Sequence, residues 1–118
     1  MGKPIKNHFE LKDACRSAGL SYVGSFMLEF IMRRKEWENP NTKNAFIKSM
    51  YEEYDAWDSD ISGTRTRANV IIRIIESRKV EDAMQLVIDA DNKKLGILQA
   101  KENAQTVLDL LKSGKITY

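Results

Sequence analysis

The sequence predicts an all-α fold, a compact single domain built as a bundle or orthogonal array of about five to six short helices. Residues that favour helices are plentiful, whereas the 118 residues include only two prolines and six glycines. Apolar residues recur at spacings of three and four, and short groups of turn-forming residues separate these stretches. The length is that of one domain, so we expect a single domain over residues 1–118, with residues 1–6 as a flexible terminus.

The first half of the chain predicts three helices. The first covers about residues 7–18, because Asn7 can cap it. Its short apolar face comprises Phe9, Leu11, Ala14, Cys15 and Ala18. The second opens at Ser21, ends in the basic run of residues 32–35, and has an apolar stripe that extends as far as Trp37. After the break at residues 39–42, a third helix covers about residues 41–56.

The second half predicts three more helices. Residues 58–63 have the composition of a loop, after which Thr64 is expected to cap the next helix. The β-branched run at residues 70–75 could also form a buried strand, but residues 64–78 are too long for a typical strand. Two further helices are expected over about residues 80–90 and 96–112.

Composition restricts the location and the class of the protein. The net charge of +2 implies nothing about partners, but an acidic stretch at residues 36–60 is followed by a basic stretch at residues 64–79. Cys15 is the only cysteine, which fits a reducing compartment. No secretory signal and no apolar run of membrane-spanning length is present, so we expect a cytoplasmic protein that does not enter a membrane.

The inventory of reactive side chains argues against catalysis. His8 is the only histidine and lies near the terminus, so neither a nucleophile–histidine pair nor the usual structural zinc site can be assembled readily. No glycine-rich phosphate loop is present. We therefore predict a protein that is not an enzyme, with no catalytic residue, no metal and no cofactor.

Residues 58–63 are similar to the first half of an EF-hand calcium loop, with oxygen-bearing side chains at alternate positions before a glycine. The resemblance then breaks, because Arg65 stands at the eighth position and Asn69 replaces the bidentate glutamate at the twelfth. The preferred interpretation is a capped loop whose Asp and Ser side chains bond local amides.

The stretch that follows Gly63 fits an anion better. A helix that begins there would present free amides, the positive end of its dipole and two arginines to a phosphate. The leading hypothesis is a small nucleic-acid-binding or nucleic-acid-associated accessory protein. The predicted phosphate contacts are Thr64, Arg65, Arg67, Arg73, Arg33, Arg34 and Lys35. The alternative is that the arginines have a structural role and pair with the carboxylates just upstream of them.

A second hypothesis is a protein-interaction module, an adaptor or inhibitor without affinity for nucleic acid. It rests on the alternating acidic and basic blocks and on Trp37 and Trp57, which stand at helix ends and could be partly exposed. The last helix could also pack against a second copy, giving a homodimer, through Leu95, Leu98, Leu108 and Leu111.

Overall fold

In the computed structural model, which describes residues 4–93 and 95–118, the chain is all α-helical, as predicted. This part of the chain contains seven α-helices, one 3-10 turn and no strand. The helices are α1 (His8–Ala18), α2 (Leu20–Met32), α3 (Arg34–Glu38), α4 (Lys43–Glu53), α5 (Ile61–Glu76), α6 (Val80–Ile88) and α7 (Ile97–Lys112), with the 3-10 turn at Asp55–Trp57. The strand alternative for residues 70–75 is therefore wrong, since they lie within α5.

The beginning of the chain follows the prediction closely. Asn7 caps α1, its side-chain oxygen accepting from the Glu10 amide at 2.9 Å. Before the helix, Ile5 is buried and its amide donates to Ser77 Oγ at 2.9 Å. Residues 4–6 therefore belong to the fold, while residues 1–3 of the terminus expected to be flexible lie outside the described part. Gly19, with φ +89°, joins α1 directly to α2.

The second predicted helix is divided into two. The backbone leaves helical geometry at Arg33 (φ −102°, ψ 24°), and α3 begins at the next residue. The change of direction turns Trp37 back onto α2, where its indole nitrogen donates to the Phe30 carbonyl at 2.7 Å. Trp37 is 2% exposed, so the expectation that it lies partly at the surface is wrong. This extra helix is why the chain has more helices than predicted.

The loop predicted at residues 58–63 is confirmed for residues 58–60 only, and the cap predicted at Thr64 is wrong. Helix α4 ends at Glu53, and α5 begins at Ile61, so that its cap lies four residues before the predicted one. Asp60 is its cap, because an extended backbone there (ψ 169°) directs the carboxylate onto the amides of Ser62 and Gly63.

The core lies between α2, α5, α6 and α7. Helix α7 packs mainly against α2 and α6, and the middle of α5 is buried on most sides. Gly24 permits the close approach of α2 to α7, because a Cβ at this position would stand 2.9 Å from the Ala100 carbonyl oxygen. Across the described residues, none of the helices has the length and hydrophobicity needed to cross a bilayer.

Candidate interaction surface

The amides at the start of α5 already have an acceptor. The Asp60 carboxylate accepts from the Ser62 amide at 2.8 Å and from the Gly63 amide at 3.4 Å, and the Ser62 hydroxyl donates to it as well. These bonds, the one from the hydroxyl foremost, hold the pKa of Asp60 below its usual value. An anion approaching this helix end would meet a carboxylate, contrary to the free amides that the sequence suggested.

Thr64 and Arg67 both face inward and bind the same carboxylate. Thr64 is 2% exposed and its hydroxyl donates to Asp58 Oδ2 at 3.1 Å. Arg67 Nε donates to Asp58 Oδ1 at 3.1 Å, and its Nη1 donates to the Ala18 carbonyl at 2.7 Å. The same guanidinium lies 5.2 Å from the ring centre of Tyr22. Arg67 therefore joins the end of α1 and the start of α2 to α5.

Arg33 is held by the helices around it. It bonds Glu29 at 2.8 Å and Glu36 at 2.7 Å, and its guanidinium lies over the Phe46 ring at 4.7 Å from the centre. The hydrogen bonds from Arg33 lower the pKa of Glu36. A further bond to Ser49 Oγ ties α4 to this cluster. The arginine thus fixes the α2–α3 corner against α4.

The other predicted phosphate contacts are dispersed. Arg34 pairs with Glu38 at 2.9 Å, and Lys35 is exposed beside it on the short α3. On α5, Arg65 and Arg67 are two residues apart and so point about 200° apart around the helix. Arg65 is exposed, whereas Arg73, eight residues further on and about 80° away around the helix, is half-buried. The structure therefore leaves the seven residues without a common face.

Arg73 borders a groove between α1 and α5 with a volume of about 470 Å³. Its lining comprises Pro4, Lys6, Glu10, Asp13, Ala14, Ser17 and Arg73. The α1 wall supplies two carboxylates, Glu10 and Asp13, while Arg73 supplies a guanidinium from α5 and Lys6 an ammonium from the preceding segment. Acidic and basic groups thus line the same groove, although Arg73 is far from the other charged residues in the sequence.

Phe9 is not part of this lining, but it directly precedes Glu10 and lies one helical turn before Asp13, both of which line the groove. Its side chain is 72% exposed, so its assignment to the apolar face of the first helix is wrong. The buried residues of α1 are Leu11, Ala14, Cys15 and Ala18. Phe9 lies about 200° from Leu11 around the helix, and this phase difference could have identified the exposed ring from the sequence.

The leucines expected to meet a second copy divide into two pairs. Leu95 and Leu98 are 96% and 63% exposed at the start of α7, whereas Leu108 and Leu111 pack partly against the core. Trp57 is also partly buried, with its ring 5.4 Å from that of Tyr22. The last helix therefore offers no continuous leucine face.

The two carboxylates of residues 58–63 have partners within the fold. The Asp58 side chain bonds Arg67 and Thr64, and that of Asp60 caps α5. Within residues 4–93 and 95–118, no three His, Cys, Asp or Glu side chains converge as metal ligands. Comparisons of this chain with protein-family models, curated proteins and solved structures found no match.

Proposed function

We propose that the chain is a protein-interaction module that binds its partner through the face between α1 and α5. This α1–α5 face comprises the exposed Phe9 and the groove residues Lys6, Glu10, Asp13, Ser17 and Arg73. The observation that carries the proposal is an aromatic ring, 72% exposed, on the helix that forms one wall of a groove of about 470 Å³ whose lining carries opposite charges.

Both parts of the face have a role in recognition. Aromatic residues that enter a pocket supply much of the binding energy at protein interfaces. Paired charges around such an anchor set the register and reject partners with the wrong pattern. The groove lining carries as many carboxylates as cations and so offers a polyanion no net attraction, and this mixed charge favours a protein partner.

Site-specific photo-crosslinking tests this proposal directly. With a benzophenone amino acid replacing Phe9, we expect discrete covalent adducts in cells that produce the chain. The matched control carries the same crosslinker in place of Leu98, another exposed apolar residue, and should give none of those adducts. Adding Glu10→Lys and Asp13→Lys should abolish the adducts formed from position 9. No adducts, or the same adducts from both positions, would contradict the proposal.

The second candidate function is association with nucleic acid. It is favoured by the exposed Arg65 and by Arg73, which lies about 12 Å further along α5 and lines the groove. Fluorescence anisotropy with labelled duplex and single-stranded oligonucleotides at two salt concentrations tests it. Each phosphate contact contributes roughly 0.7–0.9 to the slope of log affinity against log salt, so Arg65→Ala should flatten that slope by about this amount. Absence of binding at low salt would exclude this function.

A further inference from the structure

From the same face we infer that the module's partner is a second copy of this chain, bound through the α1–α5 face about a two-fold axis. This inference rests on the proposed function and adds the identity of the occupant. Two-fold association requires a surface that is complementary to itself, so that each element of the patch meets its counterpart on the other copy.

The shape of the face meets this requirement. Phe9 projects from α1 with 72% of its surface exposed, and Asp13, one turn further along the same helix, lines the groove. A projecting ring and a depression therefore lie side by side on one copy. A two-fold axis between them would place each Phe9 over the groove of the other copy, burying both rings.

The charges of the face are also complementary to themselves. Helices α1 and α5 run antiparallel, since Ile5 bonds Ser77 at one end and Arg67 bonds Ala18 at the other. The two-fold axis would bring the α1 carboxylates of each copy opposite Arg73 of the other. An arginine carries five N–H donors, so Arg73 can bind a carboxylate of the second copy in addition to its own contacts. Two acids and two bases line each groove, so the lining has no formal net charge.

Sedimentation equilibrium of the full chain, from micromolar to millimolar concentration, tests the inference. We expect a reversible dimer that dissociates on dilution. Because each dimer would lose two buried rings, Phe9→Ala should weaken dimerisation by about 100-fold. The control, Leu98→Ala, removes an exposed leucine outside the face and should leave the dissociation constant unchanged. A chain that stays monomeric at millimolar concentration, or a dimer indifferent to Phe9→Ala, would overturn the inference.

A charge exchange tests the geometry more sharply. One variant carries Glu10→Lys and Asp13→Lys, and the other carries Lys6→Glu and Arg73→Glu. Each alone should be monomeric, because like charges would oppose each other in both halves of the dimer. An equimolar mixture should form a heterodimer, because both halves then pair opposite charges. Circular dichroism and thermal melting establish that each variant is folded, and Lys6→Glu alone replaces the second variant should that one unfold.

Each result of the exchange decides the inference. Folded variants that fail to associate when mixed would refute the two-fold contact, as would variants that dimerise alone. Failure of the proposed function is distinguishable from this outcome. If the chain is strictly monomeric but still forms adducts with another protein from position 9, the interaction function stands and only the inference of a second copy is refuted. A chain without dimer and without adducts loses both.

Discussion

Arg67 lies where α1 ends and α5 passes, and its side chain is 27% exposed. The Asp58 side chain that it bonds is 9% exposed, so a broken pair would leave a largely buried carboxylate with less compensation. We expect Arg67→Ala to lower the free energy of unfolding by about 2–4 kcal/mol, as measured by urea denaturation.

Arg65→Ala is the matched control for this change, because it removes the same residue type from the exposed side of the same helix. It should alter the free energy of unfolding by no more than about 0.5 kcal/mol. Equal losses in the two variants would mean that Arg67 contributes no more than a surface charge.

The sequence was compatible with two roles for Arg65 and Arg67, which were contact with phosphate or pairing with the acidic residues just upstream. The second is confirmed for Arg67, which pairs with Asp58 at 3.1 Å. Apolar periodicity could have separated Arg65 from Arg67, because Arg67 lies three residues after the buried Thr64 and four before the buried Ile71, whereas Arg65 lies about 200° from Arg67 around the helix. A start at Thr64 makes this residue an exposed cap, whereas the start at Ile61 buries it against Asp58.

The first turn of α5 depends on one carboxylate, that of Asp60. Asp60→Ala should lower the melting temperature and accelerate hydrogen exchange at the Ser62 and Gly63 amides, which lose their acceptor. The pKa of Asp60 in the folded chain is lowered, so its stabilisation is present above the unfolded pKa and disappears as the pH falls through the folded value. The difference between the variant and the unmodified chain should therefore shrink in acid.

Asp89→Ala serves as the control for the cap, because Asp89 lies at the C-terminal end of a helix, directly after the last residue of α6. A carboxylate there is unfavourable to the helix dipole, so its removal should leave the melting temperature unchanged or raise it slightly. Unchanged exchange at Ser62 and Gly63 in the Asp60 variant would show that the cap is dispensable.

The contact between α2 and α7 depends on Gly24. Alanine normally stabilises a helix interior relative to glycine, but here its Cβ would stand 2.7 Å from Val87 Cγ1 and 2.9 Å from the Ala100 carbonyl oxygen. Gly24→Ala should therefore destabilise the chain by about 1–3 kcal/mol, as measured by urea denaturation. Ser25→Ala, at the adjacent and partly exposed position, should stay within about 0.5 kcal/mol. Stabilisation by Gly24→Ala would show that α7 can move away without cost.

A side-chain cap did not decide which helix starts were predictable, since α6 and α7 begin within one residue of the prediction without one, and α5 was mispredicted although Asp60 caps it. Asn7 and its spacing to Glu10 gave the start of α1 correctly, because the bond between them is local. The α2–α3 corner at Arg33 has no side-chain cap. Its geometry is set by Trp37 reaching the Phe30 carbonyl, a tertiary contact that an apolar stripe cannot distinguish from a continuous helix.

Apolar periodicity was sufficient to predict the fold class of the whole molecule, because each helix must bury one face whichever element it packs against. The α1–α5 face could not be predicted from this periodicity. That face brings Glu10 and Asp13 beside Arg73, some 60 residues away in sequence, and depends on the antiparallel packing of α1 and α5. Periodicity specifies which side of each helix is buried, and leaves the choice of neighbouring helices to the packing of the core.

The rate at which a reagent labels Cys15 tests whether the molecule unfolds as one cooperative unit. It is 1% exposed in the core, and burial raises the pKa of its thiol to about 12. We expect a disulfide reagent to label the folded chain at least about 1,000-fold more slowly than the unfolded chain, with a rate that rises with urea in parallel with the loss of helical circular dichroism.

The control places a cysteine at the exposed Ala45 of α4 in a Cys15→Ser chain, where labelling should be immediate and independent of urea. Rapid labelling of Cys15 at low urea, with a rate that urea does not change, would instead mean that α1 opens by itself. In that event the α1–α5 face would be transient, since both of its carboxylates and Phe9 belong to α1. Slow, urea-dependent labelling means that the face persists for as long as the core does.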